Sequence, residues 1–266
     1  MIKDKFPNIK GLIIDMDGVL WHDTKPLGDL VKIFDRISEM DLKFILATNN
    51  ATKTVEEFLN KLENFGVNLT EDHVINSAQA TGYYLLEKFG EGTVVYVLGQ
   101  PSLKETLRSF GMSICEDNDD CCKVVVASLD YHLTYEKLKK ASLLIQSGCV
   151  FIGTNADRTL PTPEGFIPGS GTLIGALEIA SGKEAKIIGK PEPLLYEMAL
   201  KRLNLTPEET LAIGDRLETD IAGAQAAGIH TALVLSGASS LEEAKGYSQP
   251  PEIITQDFTE LIIDGK

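Results

Sequence analysis

Two aspartates separated by one residue, Asp15-Met16-Asp17-Gly18, follow directly on the apolar run Leu12-Ile13-Ile14. Carboxylates at that spacing can face one pocket once the chain turns out of a buried strand. Three further clusters share this setting. Thr48-Asn49-Asn50 is a run of hydroxyl and amide donors. Gly189-Lys190-Pro191 puts a lysine between a strand-like run and a proline-started helix. Gly214-Asp215-Arg216-Leu217-Glu218-Thr219-Asp220 carries two acids five apart at the opening of a helix. Each has an ordinary alternative when taken alone: acids at strand ends cap helices, Asn-rich runs make turns, and lysines populate surfaces. Together they make a different case. Three or four carboxylates at one sheet edge repel each other by about 4 kcal/mol per close pair at an effective dielectric of 20. A divalent cation removes that cost, and hard oxygen ligands with water suit Mg2+. A lysine and hydroxyl or amide donors beside such a metal suit a phosphate group.

The elements that must bring these clusters together are short β-branched runs alternating with amphipathic stretches, the pattern of parallel strands joined by helices. Strands are predicted at 10–15 and 43–48, each ending in a polar residue. Between them Leu30, Ile33, Phe34, Ile37 and Met40 form a helical stripe. A second helix runs from a Thr54/Glu57 capping pattern to Gly66. The pattern restarts near Gly82, with strands at 94–99, 123–128 and 149–153 and a helix over 135–146. Residues 159–171, with three prolines and three glycines, read as a loop, and a helix follows over 172–180. Strands at 185–189, 210–214 and 231–235 complete the chain, with a helix at 193–203. These runs predict an α/β protein in which residues 1–79 and 182–266 build one parallel-sheet domain. Residues 80–181 form a smaller α/β insertion, and the cleft beside an inserted domain is a common ligand site. In an open parallel sheet, ligands bind at the carboxyl ends of the strands, where all four clusters fall.

The chain has 266 residues, 43% of them hydrophobic and 24% charged, which excludes a disordered, collagenous or coiled-coil protein. A net charge of −14 argues against nucleic acid and anionic membrane as partners. No run approaches the length of a membrane span, and no signal-peptide-like stretch opens the sequence. The four cysteines contain no Cys-x-x-Cys pair, so they read as reduced thiols without a zinc site. The expectation is a cytoplasmic protein.

The four clusters, in this order, resemble the motifs of the haloacid dehalogenase superfamily, and the insertion between the second and third is similar to the C2-type cap of its NagD/4-nitrophenylphosphatase-like branch. The resemblance implies a Rossmann-like core with an inserted cap and a Mg2+-dependent phosphatase acting on a small phosphorylated metabolite. It implies Asp15 as nucleophile, forming an aspartyl-phosphate, and Asp17 as acid and then base. It implies a metal held by Asp15, the Asp17 carbonyl and Asp215, with Asp220 behind them. It implies Thr48 and Lys190 on the phosphoryl oxygens with the Asn49 backbone N–H helping, Asn50 as a further substrate-binding residue, and a homodimer through the cap as an option open to relatives of this kind. An acid two positions after the nucleophile favours phosphoester over halide chemistry, since a departing halide needs no proton.

In the insertion, Gly153-Thr154-Asn155-Ala156-Asp157-Arg158 resembles the cap's substrate-specificity loop, making Asn155 and Asp157 candidate substrate contacts. Ala156 stands where relatives carry proline, and a plain turn is the alternative. Gly169-Ser170-Gly171 is read as a helix opening, because it follows no strand. Trp21 lies either at the pocket or in the core. Two other functions remain open: a phospho-accepting receiver-like module, which the long insertion disfavours, and a lapsed ligand-binding relative, which the intact acid, threonine and lysine set disfavours.

Overall fold

The computed structural model describes residues 2–115, 121–162 and 164–264. It divides into two compact units, one of residues 1–48, 55–75 and 190–266 and the other of residues 49–54 and 76–189. Each is α/β, as expected, and each has its own sheet.

The first unit holds a six-stranded sheet in the order Ile253–Thr255, His230–Val234, Thr210–Gly214, Gly11–Ile14, Lys43–Thr48, Val74–Asn76. The pairings among the first five strands are parallel. Because side chains alternate across a strand, the central strands feed two cores. Leu12, Ile14, Leu46, Leu211 and Ile213 pack with Leu30, Ile33, Phe34, Ile37, Phe58 and Leu62 of helices Leu30–Glu39 and Val55–Asn64. Ile13, Ile45, Ala47 and Ala212 pack on the other face with Leu195, Tyr196, Ala199 and Leu203 of helix Leu194–Leu203. A sheet covered on both sides needs apolar residues at every strand position, which is why these strands read as unbroken hydrophobic runs. Asp29 accepts the Lys32 N–H at the start of helix Leu30–Glu39, and Asn204 ends helix Leu194–Leu203 in the left-handed conformation.

The second unit carries a five-stranded parallel sheet in the order Lys186–Ile187, Val150–Gly153, Val124–Ala127, Val94–Leu98, Ser113–Ile114. Helices Tyr135–Gln146 and Ser170–Ser181 cover one face through Ala141, Leu144, Ile145, Leu173, Ile174 and Leu177.

Three expectations are corrected. The strand before Lys190 pairs with Val150–Gly153 and extends the sheet of the middle unit, not that of the outer one. Residues 182–189 therefore group with the middle unit, as do 49–54 and 76–79. Residues 159–171 are not an irregular loop: Thr159–Thr162 and Gly165–Pro168 form an antiparallel ribbon, and a helix begins at Ser170. An isolated two-stranded ribbon leaves outward-facing N–H groups unpaired, so prolines fit there without breaking the ladder. The restart near Gly82 lies within a helix, Ser77–Phe89, which Asn76 opens by accepting the Gln79 N–H. No helix among the described residues is long and apolar enough to cross a membrane.

Candidate active site

The three adjacent strands Thr210–Gly214, Gly11–Ile14 and Lys43–Thr48 end side by side. Asp215, Asp15 and Thr48 are thereby delivered to one sheet edge, and all three are buried. Lys190 comes to the same place from the segment after the other unit's edge strand. It is 2% exposed, and its Nζ donates to Asp15 Oδ1 at 2.6 Å, Asp220 Oδ1 at 2.6 Å and the Ala47 carbonyl at 2.9 Å. All three of its donors are therefore directed.

Asp220 is placed by a π-helical turn, Leu217–Ile221, of the kind found at functional sites. Its second oxygen accepts the backbone N–H of Asp215 at 3.2 Å and of Arg216 at 3.0 Å. Both carboxylate oxygens are thus committed to holding Lys190 and the loop that carries Asp215. Tyr196 fixes the same turn from below, donating its hydroxyl to the Asp220 carbonyl at 2.7 Å. Asp215 Oδ2 accepts the Ala238 N–H at 2.6 Å. Glycines close around this carboxylate: a Cβ on Gly237 would lie 2.0 Å from Asp215 Oδ2, and one on Gly18 would lie 2.5 Å from it. Gly18 also has φ +88°, a conformation few other residues adopt.

Ligand atoms of Asp15, Asp215 and Asp220 lie within 4.8 Å of one another. Three carboxylates against one ammonium leave two negative charges in a buried place, and the ionisations respond. Burial raises the Asp15 pKa well above the carboxylate range, Lys190 opposes the rise, and Asp220 and Asp215 reinforce it. Asp215 is pushed up to about 7 by burial and by Asp220, against the pull of the Ala238 N–H. Burial alone would lower the Lys190 pKa, but Asp15 and Asp220 overcome it and hold the ammonium charged. The donor set is all oxygen, dense and short of positive charge, so the residues fit a hard divalent cation.

Asp17 follows in the same turn, partly buried, with Oδ1 accepting the Trp21 indole N–H at 2.7 Å. Sequence reasoning left Trp21 between pocket and core; it has 0% exposure and yet bonds to a site residue. The loop after strand His230–Val234 escaped sequence reasoning altogether. It supplies Gly237 and the Ala238 N–H to Asp215, and Ser236, whose hydroxyl donates to the Gly18 carbonyl at 2.7 Å. Its signal was available: Ser236-Gly237-Ala238 are small residues at a strand's carboxyl end.

Three other candidates meet in the second unit. Asp157 Oδ2 accepts Asn155 Nδ2 at 2.7 Å and Asn49 Nδ2 at 3.0 Å, while Asn155 Oδ1 accepts the Thr154 hydroxyl at 2.8 Å. Asn50 Oδ1 closes a local turn by accepting the Thr52 N–H and hydroxyl at 2.9 and 2.6 Å.

The sequence matches the profile of the haloacid dehalogenase-like hydrolase family over residues 12–113 and a second profile of the same hydrolases over 187–261. An acid sugar phosphatase of Staphylococcus aureus is 34% identical over 255 residues, covering 96% of this chain and 97% of its own. The chain is a haloacid dehalogenase-like hydrolase. Its fold agrees with 4-nitrophenylphosphatase from Thermotoga maritima at TM-score 0.90 and 31% identity, over 97% of both chains. NagD from E. coli K-12 agrees at TM-score 0.86 and 32% identity, over 95% of this chain and 98% of that one. Like the acid sugar phosphatase and the 4-nitrophenylphosphatase, the hydrolase is a phosphoric monoester hydrolase.

Proposed function

We propose that this hydrolase cleaves small phosphate monoesters in the cytoplasm, sugar phosphates first among them, by passing the phosphoryl group through Asp15. The observation that carries the reading is the Asp15 carboxylate held at a buried strand end by Lys190, beside Asp215 and Asp220. Asp15 attacks phosphorus, and the bond to the ester oxygen breaks. Splitting hydrolysis this way replaces one difficult displacement with two easier ones. Asp17 gives a proton to the departing alkoxide and later takes one from the water that releases phosphate. Lys190 keeps Asp15 oriented and offers positive charge to the phosphoryl oxygens, and the Thr48 hydroxyl is assigned to donate to them.

Asp15, Asp215 and the Asp17 carbonyl are the proposed Mg2+ ligands. Bound there, the ion supplies charge neutralisation for the phosphoryl group. Asp220 acts by positioning Lys190 and the Asp215 loop, since both its oxygens are engaged. In the second unit, Asp157 ties Asn49 to Asn155, so these three are assigned to shaping the loop that selects substrate. The sugar-phosphate preference follows the names of the curated relatives.

The test is turnover of 4-nitrophenyl phosphate and a panel of sugar phosphates, with Mg2+ and with chelator, by the parent and by Asp15→Asn. Activity in the parent that needs Mg2+ and disappears in the variant is expected. Undiminished turnover by Asp15→Asn would remove the nucleophile assignment.

A further inference from the structure

We infer that Trp21 is a positioning residue for proton transfer: its indole N–H holds Oδ1 of Asp17 and so presents Oδ2 as the atom that gives and takes the proton. The inference rests on the acid–base role proposed for Asp17. It starts from a residue that a packing role alone does not explain. Trp21 is among the largest side chains of the molecule and has 0% exposure, so its N–H must find an acceptor inside the protein. The acceptor is the carboxylate of Asp17, at 2.7 Å. Many apolar residues could fill this space, but among apolar-bodied side chains few could also donate to that oxygen.

The surroundings fix the donor. The Trp21 carbonyl accepts the Gly18 N–H at 2.9 Å, which folds residues 17–21 into a closed turn. Trp21–His22 pairs with Lys25–Pro26 in a short antiparallel ribbon. The indole ring carries Lys61 Nζ at 3.9 Å from its centroid, and Phe65 lies at 6.0 Å in a tilted contact. Ring position, backbone and donor direction are therefore all set before substrate arrives. A carboxyl group turns about two single bonds, and catalytic groups tolerate errors of only about 0.5 Å and 10–20°. One directed bond from a rigid ring removes that freedom.

The atom assignment follows from hydrogen-bond chemistry. An oxygen that accepts the indole N–H is acting as an acceptor, so in the acid form of Asp17 the proton resides on Oδ2. When the phosphorus–oxygen bond of the ester breaks, that proton passes from Oδ2 to the alkoxide and yields a neutral alcohol. In the second displacement, water adds to phosphorus as the bond to Asp15 breaks, and Oδ2 receives the water's proton. The indole neither gains nor loses a proton at any stage.

Trp21→Phe tests this, because it keeps an aromatic ring beside Lys61 and Phe65 and removes the N–H. Phenyl phosphate and 4-nitrophenyl phosphate are the probes; they are similar in shape, but phenoxide needs protonation on leaving far more than nitrophenolate. Misoriented general acids forfeit part of a contribution of about 10²–10⁴. The expected result is a kcat on phenyl phosphate reduced about tenfold or more beyond any loss on 4-nitrophenyl phosphate, with KM changed less than about twofold. Equal losses on both probes would show that Trp21 acts through packing and would overturn the inference, as would an unchanged variant. Asp17→Asn separates this from the reading beneath it. If Asp17→Asn retains full activity on phenyl phosphate, the acid role itself fails. If Asp17→Asn is inactive while Trp21→Phe is normal, the acid role stands and the positioning role is wrong.

Discussion

Replacing Lys190 with methionine keeps most of the side chain's volume and removes its charge, leaving Asp15, Asp215 and Asp220 without their ammonium. Each of the two 2.6 Å contacts to Asp15 and Asp220 is worth about 6 kcal/mol of attraction at an effective dielectric of 20. Much of that is offset in the parent by the cost of taking a 2%-exposed ammonium out of water. Deleting one partner of a buried ion pair costs about 3–5 kcal/mol, because the other charges stay buried and uncompensated. That is the loss of stability expected of metal-free Lys190→Met at about pH 8, with the orphaned Ala47 carbonyl included. The loss depends on pH with a definite sign. Asp15 and Asp215 already have raised pKa values in the folded state, and removing the lysine raises them further. A folded state that binds more protons than the unfolded chain loses stability as pH rises between the ordinary carboxylate pKa, about 4, and the raised ones. The deficit of the variant must therefore be larger at about pH 8 than at about pH 5. Urea unfolding at both values, in chelator, measures it. A deficit equal at the two pH values would refute the argument that uncompensated carboxylates are its source, and an undiminished stability at the higher pH would refute the ion-pair network altogether.

Three further outcomes follow from the same geometry. Mg2+ should raise the thermal midpoint more at about pH 8 than at about pH 5, because Asp215, at about 7, must shed its proton to become a ligand; a shift independent of pH would count against Asp215. Gly237→Ala puts a methyl group into the Asp215 carboxylate, which the unshifted Cβ would approach to 2.0 Å. It should cost about 1–3 kcal/mol in denaturant unfolding and at least about tenfold in kcat, and normal kinetics would contradict the cradle. Asp157→Ala strips the shared acceptor from Asn49 and Asn155, with an expected loss of about 1–3 kcal/mol. Hydrogen exchange over residues 153–158 should speed up, and unaltered protection there would disprove the strut.

The core of the site was legible because strand ends carry it. Asp15, Thr48 and Asp215 each follow an unbroken apolar run, and parallel strands of that kind expose their next residues at one edge. Lys190 was legible as a residue but not by its route. The run before it looks like any other strand, and nothing local tells a two-residue edge strand which sheet to join; that is settled by pairing with Val150–Gly153, a long-range choice. Helix Ser77–Phe89 was missed because Ser77, Ala78, Ala80, Thr81 and Gly82 give it a weakly apolar buried face. Its small residues bury by close approach, which hydropathy does not record. The ribbon at 159–168 was hidden by prolines, whose meaning depends on which strand edge faces outward. The same limit applied to Trp21, whose sequence position is compatible with both packing and bonding and whose structure uses both.

The acidity of the protein sets a problem that only the site can solve. At −14 overall, the chain repels a phosphate ester at long range, and the cluster of Asp15, Asp215, Asp220 and Lys190 adds a local excess of two negative charges. Lys190 cannot serve as a general anion trap, since its three donors are already spent on Asp15, Asp220 and Ala47. The excess can be met by protons or by a divalent cation, and these compete for the same oxygens. Protons on Asp15 would silence the proposed nucleophile, whereas a divalent cation would leave the carboxylate ionised and cancel the local excess of two negative charges that the ester meets. On the proposed reading, metal, nucleophile and anion binding are consequences of one charge balance, with Asp220 holding Lys190 in place. Capture of the ester on these terms is short-ranged, so kcat/KM should fall only mildly between low and physiological ionic strength.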